Sequence, residues 1–453
     1  LAALDNMRND LNGTSLNGVT AGCPLNSGCN GYELTADLDF DSNQDGVIDA
    51  SDDFYNNGYG WLPVGISATA PFAAVFEGNG HTISNLYISR ATTSYIGLFG
   101  YAEGATFRNI GLNGELMHVS GKAYVGGLVG RIYNGNTIIN SYVSGHISGN
   151  GDYVGGLSGH AYSNNLIRAS FVTGSVSGAS HTGGLIGRVY SSTTIDASFS
   201  TANVTGTDYV GGLAGSLYNS SAVSHSYASG NVSASGANRG GLIGKVSAAN
   251  VANSYWATDS SGQTGSSAAD SANSYVGALL TQLQCPVSAD RTSCSANTLY
   301  TGWSSVTDAE GNAYWDFGDS YQLPGLLLNG TVFRDSDGDG IEDNTDNTPF
   351  DHDGDGINDA ADAFPTDAGE SLDSDGDGVG DNTDAFPYDA TESRDNDNDG
   401  VGDNADAFPH DPTETLDTDG DGVGDNADAF PQDATGSSAA DAVDADGNGL
   451  IEI

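Results

Sequence analysis

Basic side chains are scarce in this chain. Of 453 residues only 12 are Lys or Arg, against 60 Asp and Glu, for a formal charge of -48. Such a surface repels phosphate backbones and anionic lipid, which excludes nucleic acid and bare membrane as partners and favours cations. Long apolar runs are missing too, and no stretch approaches the ~20 apolar residues of a membrane-spanning helix. Cysteine is limited to two close pairs, Cys23 with Cys29 and Cys285 with Cys294. Neither pair has the spacing of a zinc or redox site. Short-loop disulfides in an oxidising compartment are the expectation, with free thiols as the alternative. No HExxH, GxSxG or Walker motif occurs. An initiator Met and a secretion signal are also lacking. The first residues form an amphipathic pattern, Leu4, Met7 and Leu11, which stops at Asn12-Gly13 as helices do. The expectation is a segment of something longer.

What is present is repetition. The lines "YVGGLVGRIY" from Tyr124, "YVGGLSGHAY" from Tyr153, "HTGGLIGRVY" from His181, "YVGGLAGSLY" from Tyr209 and "NRGGLIGKVS" from Asn238 align on Leu128, Leu157, Leu185, Leu213 and Leu242. The leucines are 29, 28, 28 and 29 residues apart, a period that signals a solenoid. Apolar columns recur four positions after the leucine (Ile132, Ala161, Val189, Leu217, Val246), ten after (Ile138, Ile167, Ile195, Val223) and nineteen after (Ile147, Val176, Val204, Val232). An aromatic column, Tyr142, Phe171, Phe199 and Tyr227, follows at fourteen. All of these are expected to face inward, because no single copy buries its own apolar residues while a stack does. Tyr133, Tyr162, Tyr190 and Tyr218 sit at an odd offset and should form an outward ladder that stabilises adjacent rungs or offers a surface to sugars or to a neighbouring filament. The fold class is therefore all-β, a parallel β-helix followed by an irregular calcium-stabilised repeat stalk. The expected organisation is 1–60 as helix, disulfide loop and single calcium loop capping the solenoid, 61–274 as the β-helix, 275–330 as its closing cap and 331–453 as the stalk.

The acidic residues explain the last part. Residues 331–453 hold 37 of the 60 acids and two basic residues, Arg334 and Arg394. Five stretches place carboxylates at positions 1, 3, 5, 9 and 12 of a loop, the spacing by which alternate side chains converge on one Ca2+. They are Asp335, Asp337, Asp339, Asp343 and Asp346; Asp351, Asp353, Asp355, Asp359 and Asp362; Asp373, Asp375, Asp377, Asp381 and Asp384; Asp395, Asp397, Asp399, Asp403 and Asp406; and Asp417, Asp419, Asp421, Asp425 and Asp428. The few apolar residues here, such as Phe386 and Phe408, cannot drive folding by burial, so metal binding must supply much of the folding free energy. A single loop of the same spacing, Asp41, Asn43, Asp45, Asp49 and Asp52, lies near the front, and Asp444, Asp446 and Asn448 open another at the end.

The motif "VGGLVG…IINSYVSGHISG" resembles the GLUG motif of large bacterial surface proteins and of regions flanking secreted proteases, which implies an exported β-solenoid and does not imply catalysis. The five loops, with Asp at position 12 and no flanking helices, resemble thrombospondin type 3 repeats; the front loop resembles a dockerin-type loop. The closing "DADGNGLIEI" and the opening "LAALDNMRNDLNG" resemble consecutive pieces of one longer repeat, so one period of a tandem array is an expectation, with simple truncation the alternative. The functional expectation is a non-enzymatic structural or adhesive protein, extracellular or at the cell surface. It would bind calcium, self-associate head to tail or in a filament, and offer a surface to a cell-surface or polysaccharide ligand. The alternatives are a carbohydrate-active β-helix enzyme with a calcium-binding linker and an accessory region of a giant secreted protease.

Overall fold

The computed structural model describes residues 1–16, 18–20, 29–265, 274–284, 299–318 and 321–438. It has two compact units, Leu1–His352 and the chain from Asp353 onward. The second unit begins inside the loop that starts at Asp351.

The first unit is a parallel β-helix. Its clearest wall is a six-stranded parallel sheet of Phe99–Glu103, Val129–Tyr133, Ser158–Tyr162, Ile186–Tyr190, Ala214–Tyr218 and Ile243–Ser247. The register is the one that the repeat demands: Ile132 pairs with Ala161, Ala161 with Val189, Val189 with Leu217 and Leu217 with Val246. Each copy thus lies directly above the last, and the columns at four, ten and nineteen, like the marker leucines, are buried. The paired glycines beside each leucine are steric necessities. A Cβ on Gly156 would sit 2.3 Å from Val172 Cγ1 and 2.5 Å from the Gly184 carbonyl oxygen of the next rung.

Polar ladders run through the corners. The backbone N–H groups of Ser141, Ser170, Ser198 and Ser226 each donate to the hydroxyl of the serine one rung on, at 3.2–3.4 Å. These serines are buried, so the ladder satisfies backbone groups that the tight corner would leave unpaired.

The aromatic column at fourteen is a correction. Tyr142, Phe171, Phe199, Tyr227 and Tyr255 do not face the interior of the coil; they belong to a separate core on its flank. The reason is local. Between the strands at ten and fourteen stands one residue in the left-handed region, Asn140, Ala169, Ala197, His225 or Asn253, with φ of 46–50°. That bend reverses the in–out alternation, and the next residues, Val143, Val172 and Ala228, point inward instead. The outward rings stack face to face, Tyr142 on Phe171 at 4.8 Å and Phe171 on Phe199 at 4.7 Å.

The segment after the coil covers them. Strand Ser274–Ala278 pairs parallel with Asn250–Ala257 and extends the stack by one strand. The antiparallel strands Trp315–Asp316, Gly325–Leu328 and Thr331–Phe333 then lie along the flank. Trp303 and Trp315 are buried there, and Phe333 reaches Tyr142. This region closes the side of the coil as well as adding to its end.

At the other end, helix Ala2–Asn6 and the 3-10 turn Met7–Asn9 bury Leu4 and Met7 against the first rungs. Gly31–Glu33 and Leu38–Asp39 pair parallel with Val75–Glu77 and Thr82–Ser84 and so add to the first rungs of the stack.

Candidate functional site

Each Asp-rich loop is built by its first residue. Asp373 accepts the N–H of Gly376 at 2.7 Å and that of Gly378 at 3.1 Å, one on each oxygen. Asp335, Asp395 and Asp417 repeat the pattern with Gly340, Gly400 and Gly422. The sixth position must be left-handed for this turn; Gly340, Gly378, Gly400 and Gly422 have φ of 90–100°, which explains the glycine. The turn then gathers the carboxylates. In Asp335/Asp337/Asp339, Asp373/Asp375/Asp377, Asp395/Asp397/Asp399 and Asp417/Asp419/Asp421, one oxygen from each residue lies within 4.8 Å of the others. Of the fifth set, Asp351 belongs to the first unit and Asp353, Asp355, Asp359 and Asp362 to the second.

Positions 9 and 12 have separate tasks. At position 9, Asp343, Asp381, Asp403 and Asp425 clamp the second residue of the loop: Asp381 accepts the Ser374 N–H at 2.8 Å and its hydroxyl at 2.6 Å. At position 12, one oxygen of Asp384 takes the Phe386 N–H at 2.7 Å, and the other is buried with no hydrogen-bond partner. The same holds for Oδ2 of Asp406, and Oδ2 atoms of Asp375, Asp397, Asp399 and Asp419 are likewise buried and unpartnered. Loss of water, reinforced by the neighbouring carboxylates, pushes the Asp375, Asp397 and Asp419 carboxyls up from the usual range. A hard cation bound by oxygens answers all of these observations at once: the converging acids, the unpartnered oxygens and the desolvation.

The first loop is the most demanding. Asp335 and Asp337 are completely buried. The loop packs on the solenoid, where the Gly174 N–H donates to the Gly340 carbonyl at 2.8 Å. Burial, with the charges of Asp337 and Asp339, drives the Asp335 carboxyl well above its ordinary range.

The front loop folds alike but differs in detail. Asp41 accepts the Gly46 N–H at 2.9 Å, while the Asn43 amide donates to Asp45 at 3.0 Å. Asp49 is held by Ser51, and Asp52 accepts the N–H groups of Ser42 and Asp49. Among the described residues, the four loops named above each bring three carboxylates together, and this one does not. Asp444, Asp446 and Asn448 lie outside the described residues, as do Cys23, Cys285 and Cys294.

Three further residues escaped sequence reasoning. Glu370, Glu392 and Glu414 stand three positions before their loops and are buried; each accepts a backbone N–H of Asn382, Asn404 or Asn426 at 2.9–3.0 Å. Their 22-residue spacing was the available signal. On the coil, Asp196 ends the strand Thr194–Asp196. It is buried and accepts hydrogen bonds from Arg168 at 3.1 Å and Ser224 at 2.7 Å, with His225 Nδ1 at 3.0 Å. These bonds outweigh desolvation and hold its pKa low.

Fold and site together define an all-β solenoid protein with oxygen-rich loops of cation-binding geometry. Residues 206–233 match the GLUG motif family. The chain is 41% identical over 78 residues to a candidate Gly-rich membrane protein of Evansella cellulosilytica, covering 17% of this chain and 9% of that one. It is 36% identical over 124 residues to halomucin of Haloquadratum walsbyi, covering 27% of this chain and 1% of that one. The chain thus spans under a tenth of the length of either curated relative. A solved structure of a candidate immunoglobulin A1 protease from Bacteroides ovatus aligns with a TM-score of 0.42 at 20% identity, over 56% of this chain and 78% of that one. No helix among the described residues is long and apolar enough to cross a membrane.

Proposed function

We propose that this protein is a non-enzymatic structural or adhesive component of an extracellular or cell-surface layer. Its Asp-rich repeats fold around calcium, and its solenoid displays an ordered surface. The observation that carries this reading is the complete burial of Asp335 and Asp337 in one carboxylate group with Asp339. Two desolvated like charges are costly to keep ionised without a bound cation. The loops resemble thrombospondin type 3 repeats, and the Gly-rich membrane protein and halomucin fit a surface setting. In this reading calcium contributes to folding free energy, as metals do in domains with little apolar core. Millimolar calcium suits extracellular modules of this kind.

The test is limited proteolysis of the whole chain with and without EDTA, beside calorimetric calcium titration. Protection of residues 335–438 that disappears on chelation, with several ions bound per chain, supports the reading. An equally resistant tail in EDTA, or no calcium uptake, defeats it.

A further inference from the structure

The solenoid carries a second feature that calcium binding leaves unused. On its six-stranded wall one outward column reads, in register, Tyr101, Arg131, His160, Arg188, Ser216 and Lys245. Arg131, Arg188 and Lys245 therefore fall on every second rung, about 10 Å apart for parallel strands. In a chain of charge -48, this is a concentrated basic stripe.

Two aromatic ladders border it. On one side stand Tyr133, Tyr162 and Tyr190, stacked at 5.3 and 5.2 Å, then Tyr218. On the other stand Tyr95, Tyr124, Tyr153, His181 and Tyr209, stacked at 4.4–5.2 Å. Each arginine lies between the ladders: Arg131 Cζ is 5.5 Å from the Tyr124 and Tyr133 rings, and Arg188 Cζ is 5.8 Å from Tyr153 and 4.8 Å from Tyr190.

Two observations mark this as more than rung packing. First, Arg131 and Arg188 form no ion pair among the described residues. Second, the Nε of each, and both ring nitrogens of His160, which is 5% exposed, are buried with no hydrogen-bond partner. Unpaired buried donors are costly. The stacked rings spend their faces on one another, so edges and hydroxyls point outward. Ring edges are electropositive, and the whole strip is donor-rich. Glu103, Asp152 and Asp208 lie at its margins, and Asp208 is engaged by Asn238.

We propose that this face binds a linear acidic polysaccharide laid along the coil axis, with one carboxylate per disaccharide. The period selects the ligand. Duplex nucleic acid carries a phosphate about every 3.4 Å per strand. An extended peptide with alternate acids carries a charge about every 6.6 Å. Both are too dense for cations on alternate rungs. Carboxylates would pair with the guanidinium groups, and the tyrosine hydroxyls would meet sugar hydroxyls.

The inference deepens the display role proposed above, but its test runs in saturating calcium, so its failure would leave the chelation result standing. The probes for the whole chain are hyaluronan oligosaccharides, which alternate acidic and neutral sugars; polygalacturonate oligomers, acidic at every sugar; neutral chitin oligomers; and a synthetic peptide of residues 373–384. Hyaluronan should bind most tightly and weaken as salt rises, and chitin should not bind. Arg131→Gln with Arg188→Gln should reduce hyaluronan affinity at least tenfold, while Arg108→Gln, on another wall, should leave it unchanged. Should the double variant fail to fold, Lys245→Gln serves, with an expected loss of about threefold. The proposal is overturned if hyaluronan does not bind, if folded variants of the stripe bind it as wild type does, or if polygalacturonate or the peptide binds more tightly. A preferred peptide would point instead to the repeats of a second copy.

Discussion

The buried Tyr227 hydroxyl donates to the carbonyl of Pro324, 97 residues downstream, at 2.9 Å. It ties the aromatic column of the coil to the segment that covers it. Tyr227→Phe keeps the ring stacking but leaves a buried carbonyl unpaired, at a cost of about 1–3 kcal/mol. The expected outcome is a lower melting temperature and faster proteolysis between residues 299 and 333, with the rungs still resistant.

Gly156→Ala tests the close approach of the rungs. The added methyl has Val172 and the Gly184 carbonyl within 2.5 Å, and neither is the end of a flexible chain. Destabilisation should exceed the ~1–3 kcal/mol of ordinary overpacking. Ser163→Ala, on an outer turn, is the control, and thermal unfolding is the measurement.

Asp335→Asn separates the two faces of the first loop. In EDTA the variant should melt higher than the wild type, because it removes a buried charge beside Asp337 and Asp339. In calcium it should melt lower and bind one ion fewer. A parallel shift in both conditions would rule out metal as the reason for the buried carboxylates.

His160 sets a pH dependence. Burial first, then the charges of Arg131, Arg188 and His181, push its pKa down to about 2, from 6.5. The unfolded chain then binds the extra proton below pH 6.5, so stability falls with pH between 6.5 and about 2. At pH 5 the loss is about 2 kcal/mol. His181, lowered to about 4 chiefly by burial, acts in the same direction. His160→Phe should flatten the profile of melting temperature between pH 7 and 5.

The period made much of this fold legible. Equivalent positions of stacked copies share an environment, so Leu128, Ile132, Ile138 and Ile147 and their successors were placed inside by comparing copies. Phe171 was misplaced because alternation carries a residue's side only as far as the next bend, and the left-handed Ala169 is no glycine to announce one. The covering of the flank by Trp303 and Trp315 was invisible for another reason: no repeat relates those residues to the coil. The outward Tyr133 ladder was legible from parity, whereas the Tyr124 column, quoted at the head of every repeat line, gained meaning only beside Arg131. Among the loops, the triplets followed from spacing alone. The clamp by Asp381 and the burial of Asp335 did not, since the one needs the turn's geometry and the other a distant surface.

The flank segment also decides how the first unit would bear tension. The chain passes Trp315, Pro324 and Phe333 and reaches the first Asp-rich loop beside Gly174, at mid-coil. A pull from beyond His352 would therefore load the Gly174–Gly340 bond and peel the aromatic cover before it reached any rung. The strip from 299 to 346 would act as a sacrificial tether, letting out slack while the coil beneath stayed wound.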